Sequence, residues 1–300
     1  MGQRIKVCPP ASVANLGSGF DTMGIALALF NTVEMEEWDT IEVSCTDGSR
    51  PVEGEKNLIW RTVREVYRRC GRTLPGLRLV QASPIPQARG LGSSSACIAA
   101  GVVGGNRLLG CPLSAQQQLD LATELEGHPD NVVPAMLGGF VTSAVEDGRV
   151  YAVKKPVSDG LRFCAFVPDF ELLTEKARAA LPAQIPHRDA VYNISRAALM
   201  AAAFCEGRPE LLRVGAQDRL HQPYRLPLIP GAEQVIGIAA AQGALAGFIS
   251  GAGPTIMAVC RASDTDFVRR AAEALAQDAR TARFVPHWLA AENEGMIALP

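Results

Sequence analysis

The chain is poor in the residues that build metal centres and redox motifs. It has only four histidines, and none of its eight cysteines forms a CxxC pair. Structural zinc sites need closely spaced cysteine or histidine ligands, so this pattern argues against one. Cysteines scattered through apolar runs are typical of free thiols in a reducing compartment. The first residues also lack the apolar stretch of a signal peptide, so we expect a cytoplasmic protein.

Charge is also scarce and nearly balanced. The chain has 29 basic and 31 acidic residues, which gives a net charge of −2. A near-neutral chain has no overall field to attract nucleic acid or an anionic membrane, so neither is an expected partner. Residues 234–260 carry no charge at all, but repeated glycines and Pro254 interrupt them. We therefore expect a helix followed by a buried strand there, and no membrane span.

A length of 300 residues leaves room for two domains. Predicted strands and helices mix without strict βαβ alternation, which favours α+β layers over a doubly wound sheet. Asn57 and Ser114 are predicted to cap two helices, the second of which stops at Gly127. Asp147-Gly148 predicts a hairpin turn. The predicted strands are 3–8, 40–45, 77–83, 138–145, 149–154, 161–167, 245–250 and 255–260.

The most informative segment is a glycine- and serine-rich loop between a predicted strand and a predicted helix. Glycines lack the Cβ that would keep backbone N–H groups from a phosphate, and a helix start adds unpaired donors and partial positive charge. The loop lacks the Gly-Lys-Ser/Thr of a Walker A motif. It predicts phosphate binding, with an ordinary capped helix start as the alternative. Its residues are Pro86, Gln87, Ala88, Arg89, Gly90, Leu91, Gly92, Ser93, Ser94, Ser95 and Ala96.

Two further segments share this glycine-rich character. The run from Asn15 to Asp21 reads Asn-Leu-Gly-Ser-Gly-Phe-Asp and follows the first predicted strand. The run from Ser250 to Thr255 reads Ser-Gly-Ala-Gly-Pro-Thr and lies between two predicted strands. Either segment alone is typical of a turn. A simple turn, however, does not need both an asparagine and an aspartate beside its glycines, so the first segment is a candidate binding loop.

These three segments resemble, in order and spacing, the three motifs of the GHMP kinase superfamily. Residues 126–134 (Glu-Gly-His-Pro-Asp-Asn-Val-Val-Pro) and 218–225 (Asp-Arg-Leu-His-Gln-Pro-Tyr-Arg) narrow the resemblance to the homoserine kinases. The resemblance implies a two-domain α+β fold. Residues 1–155 would form an ATP-binding domain like the second domain of ribosomal protein S5, and residues 156–300 a ferredoxin-like domain. The resemblance also implies a homodimer.

The resemblance implies an activity and the ligands that serve it. The enzyme would transfer the γ-phosphate of ATP to the side-chain hydroxyl of L-homoserine, a step of threonine biosynthesis. The loop at 86–96 would hold the triphosphate. Ser94 and Glu126 would hold Mg²⁺, which prefers a few protein oxygens besides phosphate oxygens. Arg89, beside the first loop glycine, could contact either phosphate or solvent.

Homoserine is a zwitterion, so its pocket needs groups of both charges. The resemblance assigns the ammonium to Asp21, with Asn15 nearby. It assigns the carboxylate to Arg178 and Arg225, and the planar fork of arginine suits bidentate recognition of a carboxylate. For Arg178, a solvated helix face is the alternative interpretation.

His128, Asp130 and Asn131 are the catalytic candidates that the resemblance places near the reacting hydroxyl. Asp130 stands where mevalonate kinase has a catalytic base. The homoserine kinases need no strong base, because phosphoryl transfer depends mainly on positioning and charge neutralisation. We therefore expect a modest role for Asp130.

Two other functions remain open at this point. One is another small-molecule kinase of the superfamily, which would act on mevalonate or a sugar. A pocket that contains both acidic and basic side chains, however, suits an amino acid. A non-catalytic sensor would bind ATP and a metabolite, but it has less use for the Ser94 and Glu126 pair.

Overall fold

The computed structural model describes residues 3–299, which form three sheets with helices packed against them. The strands are β1 (Ile5–Cys8), β2 (Pro10–Ala14), β3 (Met23–Phe30), β4 (Thr32–Glu37), β5 (Ile41–Cys45), β6 (Leu77–Ala82), β7 (Phe140–Glu146), β8 (Arg149–Lys155), β9 (Leu161–Pro168), β10 (Ala246–Ile249), β11 (Ile256–Arg261), β12 (Phe284–Leu289) and β13 (Ile297–Leu299). The helices are α1 (Leu58–Arg69), α2 (Ser93–Leu108), α3 (Ala115–Glu126), α4 (Pro129–Leu137), α5 (Thr174–Ala179), α6 (His187–Glu206), α7 (Leu212–Gly215), α8 (Gln222–Arg225), α9 (Ala232–Ala241) and α10 (Phe267–Leu275).

The first sheet has the strand order β13-β1-β4-β6-β5, in which only β5 and β6 run parallel. Its inner face packs against α1 and α2, and on β6 Leu77 and Leu79 point into that core. Helix α1 begins at the predicted cap, where the Asn57 side chain accepts hydrogen bonds from the N–H groups of Ile59 and Trp60. Strand β6, which ends at Ala82, leads from this sheet into the 86–96 loop.

The second sheet has the order β2-β3-β7-β8 and is antiparallel throughout. All of β2 and the first five residues of β3 are buried. Helix α4 lies close against β3: a Cβ on Gly24 would lie 1.9 Å from the carbonyl oxygen of Asp130. Only glycine at this position allows α4 to approach the strand so closely, which sets the position of the helix that carries Asp130.

The third sheet is antiparallel, with the order β10-β11-β9-β12. Counted along the second half of the chain this is 2-3-1-4, the order of a ferredoxin-like sheet. Alternate residues of β9 face opposite ways: Phe163 packs with α6 and α7, whereas Phe166 packs with α9 and α10. The uncharged stretch 234–260 forms most of α9 and then β10 and β11. Within residues 3–299, every helix is too short or too polar to cross a membrane.

The predicted α+β layers are confirmed, as are the predicted hairpin and the two predicted helix caps. Strands β2, β3, β4, β12 and β13 and helices α4 and α8 are additions that were not predicted. The boundary near residue 155 stays a prediction: β8 ends at Lys155 and β9 begins at Leu161. Strand β13 belongs to the 156–300 segment but pairs with β1, so the end of the described chain completes the first sheet.

Candidate active site

A cleft of about 330 Å³ lies where the three glycine-rich segments meet. Nearly all of the predicted site residues line it. The exceptions are Leu91 and Ala96, which are buried in the core, and Gln87, which faces a neighbouring pocket. Leu91 and Ala96 are structural residues of the loop, whereas Gln87 is exposed and lines the neighbouring pocket.

The third glycine segment holds the other two together. The hydroxyl of Ser250 donates to the carbonyl oxygen of Gly90 at 2.6 Å, and the side-chain amide of Asn15 donates to the carbonyl oxygen of Gly251 at 2.8 Å. Gly90 has φ of +75°, and a Cβ there would lie 2.3 Å from the carbonyl oxygen of Ser250. Backbone from both halves of the chain therefore meets in direct contact at the cleft.

The N-terminus of α2 opens onto this cleft. The helix begins at Ser93 directly after Gly92, and Gly92, Ser93 and Ser94 all line the cleft. The first N–H groups of a helix have no partners within the helix, and they carry partial positive charge. A 16-residue helix aimed in this way is suited to holding a phosphate group.

Ser94 and Glu126 lie side by side at the edge of the cleft. The Ser94 hydroxyl donates to Oε2 of Glu126 at 3.2 Å, and the Ser95 hydroxyl donates to Oε1 at 2.7 Å. Glu126 is the last residue of α3, which stops at Gly127 as predicted. The structure thus brings together the predicted magnesium ligands and adds Ser95, which orients the carboxylate.

Asp21 and Arg178, which come from opposite halves of the chain, form a bidentate ion pair. Nη1 of Arg178 lies 3.0 Å from Oδ2 of Asp21, and Nη2 lies 2.8 Å from Oδ1. This hydrogen bonding raises the pKa of Arg178. The backbone N–H of Asp21 donates to the Asn15 side chain at 2.9 Å, so Asn15 supports the loop that presents Asp21. The structure therefore pairs two groups that were predicted to bind opposite ends of one substrate.

Arg225 is only 1% exposed, although it lines the same cleft. Its Nε donates to the carbonyl oxygen of Ala177 at 3.3 Å and its Nη1 to that of Gly251 at 3.1 Å. Within the described residues no carboxylate oxygen lies within 4.0 Å of it. Burial, and then the charge of Arg178, lower its pKa. A buried guanidinium without a close counter-ion is a strong attractor for an anion.

The start of α4 supplies the third group of predicted residues. Nδ1 of His128 lies 2.5 Å from Oδ1 of Asp130, which is 2% exposed. Burial lowers the pKa of His128, but the hydrogen bond to Asp130 and its charge outweigh burial, and the net shift is upward. Asn131 accepts a hydrogen bond from Ser12 at 2.9 Å. Polar atoms of Asp21, His128 and Asp130 lie within 4.8 Å of one another, so this group adjoins the ion pair.

Arg89 contacts protein, although it also lines the cleft. Its Nε donates to the carbonyl oxygen of Pro168 at 3.0 Å, and Nη1 lies 3.3 Å from a Glu171 carboxylate oxygen. The side chain therefore ties the 86–96 loop to the end of β9 and the segment that follows it.

Several lining residues were not predicted. Leu58, Ile98 and Leu125 have the helical spacing of ordinary core residues, and Thr174 is the first residue of the short helix α5. A second pocket of about 300 Å³ shares Leu58, Ala88, Ser93 and Ser94 with the cleft, so the two adjoin. Apart from the 86–96 loop, no sequence signal marked the walls of this second pocket.

Known proteins match this chain along its whole length. The GHMP kinases N terminal domain matches residues 57–139, and the GHMP kinases C terminal domain matches residues 200–278. Homoserine kinase of Caldicellulosiruptor bescii is 44% identical over 97% of this chain and 95% of that protein.

Solved structures agree with this match. Homoserine kinase from Cytophaga hutchinsonii has a TM-score of 0.87 at 29% identity, over 100% of this chain and 98% of that one. Mevalonate kinase of L. major has a TM-score of 0.72 at 14% identity, over 97% of this chain and 96% of that one, and therefore shares the fold. The predicted two-domain GHMP kinase fold is confirmed. We conclude that the chain belongs to the homoserine kinases, a family within the GHMP kinases.

Proposed function

We propose that this kinase transfers the γ-phosphate of ATP to the side-chain hydroxyl of L-homoserine, giving O-phospho-L-homoserine and ADP. The activity would serve threonine biosynthesis. The observation that carries the proposal is the charge pattern of the cleft. A carboxylate, Asp21, and two guanidinium groups, Arg178 and Arg225, line the same space as the N-terminus of α2. The relatives named above as homoserine kinases match nearly the whole chain and support the same substrate.

The paired charges suit an amino acid. A substrate with both an ammonium and a carboxylate can replace the bond between Asp21 and Arg178 with two new ion pairs of the same kind. The ammonium would bind Asp21, and the carboxylate would bind Arg178 and the buried Arg225. Such a substrate leaves no charge of the pocket unpaired, whereas an uncharged sugar would have to bind beside an unchanged ion pair.

ATP would occupy both adjoining pockets. The triphosphate would lie against Gly90, Gly92 and the first residues of α2, whose N–H groups and partial charge favour a phosphate. The nucleoside would extend into the second pocket, which is lined by part of the same loop and by the apolar side chains of Val52 and Ile59. Ligand sites of this kind combine an apolar wall with a few polar groups.

The residues around Ser94 fit a magnesium ion. Hydroxyl and carboxylate oxygens are the ligands that Mg²⁺ prefers, and Ser94 and Glu126 offer one of each. Ser95 holds the second carboxylate oxygen of Glu126 and so fixes the direction of the first. A magnesium ion bound there would neutralise charge on the phosphate oxygens.

The reacting hydroxyl would lie near the start of α4. Asp130 is held by His128, and Asn131 is held by Ser12, so both side chains have defined directions. The loose transition state of phosphoryl transfer places most of the demand on alignment. We therefore assign His128, Asp130 and Asn131 to orienting the hydroxyl, with Asp130 able to take its proton late in the transfer.

We also propose a reducing, cytoplasmic setting and a homodimer. Eight free cysteines, two of them fully buried, support the first point. The homodimer rests on the family resemblance alone. The domain boundary near residue 155 likewise remains part of the proposal.

The experiment that tests the function is ADP release from Mg-ATP with a panel of alcohols. The panel contains L-homoserine, D-homoserine, L-serine, L-threonine, mevalonate and galactose. We expect stereoselective turnover of L-homoserine. Turnover of mevalonate or galactose would overturn the substrate and keep the kinase. ATP binding without turnover of any alcohol would favour the non-catalytic sensor.

A further inference from the structure

His221 is a fully buried histidine that the proposed chemistry does not use. Its side chain is 0% exposed, and its ring stacks on Phe20 with centroids 5.0 Å apart. It precedes α8, the one-turn helix that carries Arg225. A buried histidine in such a place is often only a core residue, so its hydrogen bonds decide what it does.

The two ring nitrogens of His221 have different partners. Nε2 lies 2.7 Å from the carbonyl oxygen of Gly17, which can only accept, so Nε2 carries the proton. Nδ1 lies 3.4 Å from Nη1 of Arg225, which can only donate. Burial lowers the pKa of His221, although the charge of Asp218 acts in the opposite direction. The lowered pKa favours the neutral ring that these two contacts require. One tautomer therefore satisfies both contacts.

The backbone beneath His221 is also fixed. The carboxylate of Asp218 accepts hydrogen bonds from the N–H groups of Leu220 at 3.0 Å, His221 at 2.9 Å and Gln222 at 2.7 Å. Its Oδ2 lies 3.6 Å from Nε2 of the His221 ring. Asp218 thus anchors the segment from which His221 and α8 project.

Arg225 receives its direction from this arrangement. Its Nε and Nη1 are occupied by Ala177, Gly251 and His221, and its guanidinium lies 5.0 Å from the centre of the Phe20 ring. In the described part of the chain Nη2 has no hydrogen-bond partner, although Arg225 lines the cleft. The contacts on one side of the guanidinium leave the other side for a ligand.

We propose that His221 is a positioning residue for the substrate: its unprotonated Nδ1 aims Arg225 at the substrate carboxylate, while Nε2–H locks the ring to the Gly17 turn. The inference rests on the proposed function, since it takes the carboxylate of homoserine as the target. His221 itself does not touch the substrate. Its effect is therefore confined to substrates that carry a carboxylate.

The test compares two variants, each of which keeps one of the two hydrogen bonds of the histidine. His221→Asn places an amide oxygen near the position of Nδ1 and can still accept from Arg225. His221→Gln reaches toward the position of Nε2 and can still donate to Gly17, but it loses the acceptor. Each variant is assayed with L-homoserine and with 3-aminopropan-1-ol, which is homoserine without its carboxylate.

We expect His221→Gln to lower the ratio of kcat/KM for homoserine to that for 3-aminopropan-1-ol by about tenfold, the scale of one hydrogen bond to a charged group. His221→Asn should change this ratio by less than about threefold. The KM for ATP should stay near the wild-type value in both. An equal loss with both substrates, or the same ratio in both variants, would overturn the positioning role and leave a core histidine.

A control variant separates positioning from stability. Thr281→Ala removes a buried hydroxyl that donates to the carbonyl oxygen of Leu275, away from the cleft, and should lower the melting temperature without changing the substrate ratio. A changed ratio in Thr281→Ala would show that the ratio reports stability and would overturn the inference. If the wild-type protein does not phosphorylate homoserine, the proposed function has failed before any variant is measured, and the inference falls with it.

Discussion

Asp21→Asn is the substitution that most directly tests the pairing of charges in the cleft. Asp21 has φ of +52°, in the left-handed region, where asparagine is well tolerated and alanine is strained. Asparagine therefore removes the charge and keeps the backbone of the turn. It also keeps an oxygen that can accept one hydrogen bond from Arg178.

The expected magnitude follows from the environment of the pair. A hydrogen bond between charged groups contributes about 1.5–3 kcal/mol, which corresponds to roughly 10- to 150-fold in binding. The side chains of Asp21 and Arg178 are 33% and 37% exposed, and solvent screens charges at that depth. In the variant, Arg178 no longer has its ion pair with residue 21 and is free to bind the substrate carboxylate. This offsets a further part of the lost binding energy. We therefore expect the KM for homoserine to rise about 10- to 50-fold.

The assay is steady-state kinetics with each substrate varied in turn. The KM for ATP should change by less than about twofold, because Asp21 lies on the side of the cleft that we propose for the amino acid. Asp264→Asn is the matched control. Asp264 and Arg270 form a bidentate pair with distances of 3.0 and 2.8 Å and exposures of 31% and 32%, outside the cleft. Equal increases in both KM values, or the same kinetic change in the control, would refute the assignment of Asp21.

Three other substitutions probe the remaining parts of the site. Asp130→Asn should lower kcat by less than about a thousandfold while the protein stays folded; a larger loss would indicate general-base catalysis. Ser94→Ala should cripple turnover at low magnesium concentration and recover partly at high concentration, and an effect independent of magnesium would place the ion elsewhere. Gly24→Ala should lower the melting temperature and kcat together, because its Cβ would lie 1.9 Å from the Asp130 carbonyl oxygen. A variant with an unchanged melting temperature would contradict that packing.

Parts of the fold with a regular pattern could be predicted from the sequence. On β6 the alternation from Leu77 to Ala82 indicates a strand, and Asn57 and Ser114 mark helix starts. Strands β2 and β3 have no such pattern, since neighbouring residues on both faces are buried. Helix α4 is nine residues long with Pro134 inside it, which hides its period. Pro129 at its first position was the one available signal.

The site could be predicted only in part for a different physical reason. Each binding segment has a local signature, but their meeting depends on contacts between residues far apart in the chain. Asp21 and Arg178 are separated by 157 positions, and no local preference brings them together. The resemblance named both residues, yet neither their mutual ion pair nor the burial of Arg225 follows from a motif. These features depend on how the two halves pack.

The carbonyl oxygen of Gly251 accepts hydrogen bonds from both Asn15 and Arg225. A single backbone atom therefore joins the loop that presents Asp21 to the helix that presents Arg225. Neither half of the chain, cut away from the other, contains all residues of the proposed homoserine pocket. If the chain were divided between β8 and β9, activity would return only when the two fragments reassociated. Homoserine would stabilise the reassociated complex, because it would bind residues of both fragments. The pocket thus makes this enzyme a natural candidate for a fragment-complementation reporter.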